Sequence, residues 1–91
     1  MRKAYAINYD LSAPSRDYSG LYEAIKSYSG WWHYLESTWL IATESTSFQI
    51  WEKLKPHIDS NDSLLIIEVR DNVSGWLQKK AWEWIHQNVP K

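Results

Sequence analysis

The chain contains no cysteine. A disulfide framework, a cysteine zinc site and a thiol nucleophile are therefore excluded. Glycine is scarce, at three residues. None of them builds a P-loop or a Gly-x-Gly-x-x-Gly phosphate cradle, and no Gly-x-Ser-x-Gly elbow is present. No apolar run approaches the roughly 20 residues needed to span a bilayer. Met1-Arg2-Lys3-Ala4-Tyr5 lacks a signal-peptide apolar region. A cytoplasmic protein without a membrane partner is expected. Charge is not one-sided either: 10 basic and 11 acidic side chains give a net −1. That excludes a whole-surface nucleic-acid field but leaves room for a local basic patch. His33, His57 and His86 lack the i, i+4 spacing of a zinc set. The Asp59-Ser60-Asn61-Asp62 stretch has Leu64 and Arg70 where a calcium loop needs Gly and Glu, and reads as a turn.

What the chain does have is aromatic side chains: seven Trp and six Tyr among 91 residues. Length and composition fit one globular domain, residues 1–91. Residues 3–9 alternate Tyr5, Ile7 and Tyr9 with Ala4, Ala6 and Asn8, the period of a strand. Leu21, Ala24, Ile25 and Tyr28 share one face of a helix over about 17–28, which Gly30 stops. Residues 31–34 and 37–43 read as two strands, the second rich in β-branched and aromatic residues. Thr46 and Gln49 form a capping box for a second helix, which Pro56 ends or kinks. Residues 64–69 are almost all apolar, the pattern of a central strand covered on both faces. Ser74 can cap a last helix over about 75–88, with Leu77, Ala81, Trp84 and Ile85 toward the core. The order β-α-β-β-α-β predicts an α+β, ferredoxin-like core over about 3–69, with an extra C-terminal helix.

Asp10 follows the first strand, where a loop can present its carboxylate to a divalent cation. Arg16 comes six residues later; a guanidinium beside a carboxylate suits a phosphodiester. Trp39, Trp51 and Trp84 fall on core faces. Trp82 points away from Leu77, beside Lys79 and His86, and reads as an interface residue, within the domain or between subunits, that could also stack on a base or anchor a protein partner.

These features resemble a known group. A β-α-β-β-α-β chain opens with a strand ending in Tyr9-Asp10-Leu11, and a later strand carries Ser37-Thr38-Trp39. The pattern resembles the CRISPR-associated protein 2 superfamily, with its VapD-like endoribonucleases. The stretch Gly30–Leu40, with Trp31-Trp32, and the turn at 59–62 look like its stand-alone relatives, often labelled the SinR family. The resemblance covers about 3–69. It implies a homodimer in which Asp10 of each subunit holds one Mg²⁺ for RNA or DNA cleavage, with Arg16 and Ser37 near the same cleft. Some members of the superfamily are dimeric scaffolds that do not use the Asp for catalysis. The expectation is a small dimeric nucleic-acid-associated module binding RNA, DNA or a protein through Arg16, Lys79 and Trp82. The alternative is a Mg²⁺-dependent endonuclease built on Asp10.

Overall fold

The computed structural model describes residues 2–12 and 17–91. Arg16 lies outside them. Four strands and three α-helices alternate: β1 (Lys3–Asp10), α1 (Ser19–Lys26), β2 (Gly30–Leu35), β3 (Thr38–Thr43), α2 (Ser47–Leu54), β4 (Ser63–Val69) and α3 (Lys79–Asn88). The strands form one antiparallel sheet in the order β2-β3-β1-β4.

The alternation within β1 gives the sheet two different faces. Tyr5, Ile7 and Tyr9 point to one side, and their partners Ile41 and Trp39 on β3 and Ile66 and Leu64 on β4 point the same way. Here α1 and α2 dock with Leu21, Ile25, Ile50 and Leu54, all fully buried. The capping box of α2 is formed: Gln49 N–H donates to Thr46 Oγ1 at 3.1 Å, and Thr46 N–H donates to Gln49 Oε1 at 2.8 Å. Pro56 stands in a single 3₁₀ turn, Lys55–His57, that ends the helix.

On the second face, Ala4 and Ala6 leave room for α3. Its Ala81, Ile85 and Val89 pack with Ala4, Trp32 and Leu40. The indole N–H of buried Trp32 donates to the Ala81 carbonyl at 3.2 Å and ties this helix to β2.

Two expectations from the sequence need correction. The apolar run at 64–69 is not a central strand. β4 is a sheet edge, and Leu65 and Ile67 on its second face are 56% and 50% exposed. An apolar run looks the same whether or not a layer covers it, and the α3 cluster reaches Val69 but leaves Leu65 and Ile67 uncovered. Second, α3 starts at Lys79, and Gln78 rather than Ser74 takes the cap position. The intervening residues 71–78 have no regular structure, and the indole of Trp76 is 99% exposed. Trp82 packs within the domain. It is half-buried against the α3 cluster and stacks on His86 with ring centroids 6.2 Å apart.

Candidate functional site

The site grows from the end of β1. Tyr9 ties that end to the β2–β3 connection: its N–H donates to the Ser37 carbonyl at 3.1 Å, and its hydroxyl donates to the Glu36 carbonyl at 3.2 Å. The same hydroxyl accepts the Trp39 indole N–H at 2.9 Å. Burial pushes the Tyr9 pKa up; the Trp39 hydrogen bond pulls the other way, and Tyr22 and Glu36 add to the rise. The hydroxyl stays protonated near neutrality and serves as a structural pin.

An aromatic wall surrounds the pin. Tyr22 of α1 lies 6.1 Å from Trp39 and 6.2 Å from Tyr9. His33 stacks on Trp39 at 3.7 Å with 10° between the planes, and its Nε2 lies 3.1 Å from the Glu36 carbonyl. The ring stack covers one face of an indole that is otherwise sealed.

Two open recesses flank Asp10. One, of about 260 Å³, is lined by Tyr9, Asp10, Leu11, Tyr22, Glu36 and Ser37. The other, of about 230 Å³, runs along Asn8, Asp10, Ser63 and Leu65. Asp10 pairs with Ser63 in the β1–β4 ladder and is exposed. The structure therefore brings Asp10 and Ser37 to one recess. Ser37 sits just before β3 rather than within it.

Glu36 is a wall residue that sequence reasoning passed over, because a tight connection gave no signal that it would share a recess with Asp10. These two carboxylates are the charged side chains among the described residues lining it. Carboxylate oxygens suit Mg²⁺, which takes one or two of them with water and substrate phosphates. Among the described residues, no group of three or more His, Asp or Glu could hold a metal. A phosphate entering this acidic recess would need a cation to bridge it.

Asp62 is the second residue the sequence undersold. Its Oδ1 accepts from Ser12 N–H at 2.9 Å, Ser12 Oγ at 3.2 Å and Tyr18 OH at 2.8 Å, and its Oδ2 accepts from Asp59 N–H at 3.0 Å. The Asp59 amide leads in holding its pKa down to about 2. This hub ties the start of β4 to the segment just after Asp10. The turn composition was readable, but a partner 50 positions away was not.

Lys79 and Trp82 lie on α3, outside both recesses. With His86 they follow helical i, i+3, i+7 spacing as one stripe on the helix surface. Lys79 and Lys80 are exposed. No helix of the described chain is long and apolar enough to cross a membrane. Comparison with family models, with curated proteins and with solved structures gives no match.

Proposed function

We propose that this chain is a small homodimeric binding or scaffold module that associates with single-stranded nucleic acid through α3 and the segment before it. The observation that carries the reading is the combination of a fully exposed Trp76 with Lys79, Lys80, Trp82 and His86 in the following helix. Indole faces stack on bases without sequence preference, and ammonium groups beside them follow a phosphate backbone. A 99% exposed Trp gains nothing for its own fold, so its apolar surface is available to a ligand. Reading the sheet from its other edge gives β4-β1-β3-β2, all antiparallel, with two helices on one face. That order supports a ferredoxin-like core and, with Tyr9-Asp10-Leu11 and Ser37-Thr38-Trp39, kinship with the CRISPR-associated protein 2 and VapD-like group.

Tryptophan fluorescence titrated with a short single-stranded oligonucleotide tests this. Quenching is expected that weakens steeply with salt. Trp76→Ala together with Lys79→Ala should lower affinity at least tenfold. No quenching by RNA or DNA at low salt would discard the nucleic-acid reading.

One observation favours a second reading. Asp10, Glu36 and Ser37 share an exposed recess, which suits a Mg²⁺-dependent phosphodiesterase assembled from two subunits. Its test is cleavage of labelled RNA and DNA with Mg²⁺. Activity lost in Asp10→Asn would establish it, and activity equal in both proteins would clear Asp10.

A further inference from the structure

We infer that a second copy of this chain pairs antiparallel along β4, joining the two sheets into one of eight strands; this rests on the dimer proposed above and names its surface. The two edges of the sheet differ. The outer edge of β2 belongs to a strand whose ladder shifts register between Trp32 and Leu35. β4 pairs with β1 from Ala4↔Val69 to Asp10↔Ser63 without a break. Edge strands that stay single carry charged side chains, above all Lys, or Pro or a bulge. The stretch Ser63-Leu64-Leu65-Ile66-Ile67-Glu68-Val69 has no Lys, Pro or bulge, and its one charge is Glu68 near the C-terminal end.

The strand is complementary to itself. With Ile66 on the twofold axis, all seven residues pair. Leu65 then stands opposite Ile67 of the second copy, twice, so the two half-exposed side chains on this face cover each other. Glu68 comes opposite Leu64 and keeps its salt bridge to Arg70 of its own chain, at 2.9 Å. Just beyond the strand, Arg70 also comes level with Asp62 of the second copy, again twice, matching opposite charges. A shift of two residues toward the C-terminus would set Glu68 against Glu68. The other face of the same edge is apolar over Leu64 and Ile66, with Glu68 beyond them. Phe48, 67% exposed, and Trp51 of α2 form with Leu64, Leu65 and Ile66 a recess of about 270 Å³. Edge pairing brings the two such recesses side by side. Because the same patch is used twice, the assembly closes as a dimer and leaves no β4 edge open.

This arrangement separates the Asp10 carboxylates. Asp10 is level with Ser63, and Ser63 is level with Val69 of the second copy. The two Asp10 residues are then roughly 20 Å apart along the strands and about 14 Å across them. They cannot share one cation, so the β4 dimer belongs to the binding module and not to the two-subunit phosphodiesterase.

The cysteine-free chain makes the test direct. Leu65→Cys and Ile67→Cys are prepared separately, both at exposed positions, and mixed under mild oxidation. The mixture should give at least tenfold more cross-linked dimer than either variant alone, while Asp10→Cys should give none. Equal yields from the mixture and the single variants would overturn the β4 register. Cross-linking through Asp10→Cys in a protein that sediments as a dimer would overturn the edge pairing and keep the dimer. A monomer at every concentration in sedimentation equilibrium would overturn both. Ile67→Lys gives the independent check: a folded chain by circular dichroism whose dimer dissociation constant rises at least tenfold.

Discussion

The indole N–H of Trp39 donates to the hydroxyl of Tyr9 at 2.9 Å, across the β1–β3 pair and toward the mouth of the Asp10 recess. The hydroxyl in turn donates a hydrogen bond to the Glu36 carbonyl at 3.2 Å. Tyr9→Phe removes both bonds and leaves the N–H of a buried Trp without its acceptor. It should cost about 1–2 kcal/mol, read as a lower urea midpoint with an unchanged m-value. An unchanged midpoint would show that water replaces the hydroxyl.

Asp62 predicts how stability depends on acid. Its carboxylate is held at about 2 in the folded chain, below its ordinary value of 3.8. A depressed folded pKa stabilises above the unfolded value, and that contribution is lost as pH falls from 3.8 through about 2. Asp62→Asn abolishes the charge and turns an amide donor toward a donor that the carboxylate now satisfies. The variant should be less stable at pH 7, and its urea midpoint should fall less than that of the parent over this acid window.

Trp32→Phe tests the attachment of α3. The change removes the N–H that reaches Ala81 and shrinks a buried ring. A loss of about 1–3 kcal/mol is expected. Amide exchange should quicken in α3 more than in α1 or α2. Uniform acceleration across all three helices would mean that α3 opens only with the whole fold.

Trp76→Ala should leave stability within about 0.5 kcal/mol of the parent, since the ring touches almost nothing. The same change should remove the most red-shifted, most readily quenched component of the fluorescence. A large loss of stability would show instead that the indole packs inside the fold or its dimer.

Local patterns were the most legible part of this chain. The alternation of Tyr5, Ile7 and Tyr9, the helical spacing of Leu21 and Ile25, and the Thr46–Gln49 box each act over a few residues, so they fixed β1, α1 and the start of α2 from sequence alone. The position of Asp10 at a strand end was readable for the same reason. Tertiary structure decided the rest. Whether an apolar strand is covered depends on where the next layer stops, so Leu65 and Ile67 read as core and stand at an open edge. The Asp62 hub and the shared recess of Asp10, Glu36 and Ser37 join residues far apart in the chain, and only packing sets those distances. For Trp82 the sequence left open whether its interface lay within the domain or between subunits, and only the packing of α3 on the sheet half-buries its indole within the domain.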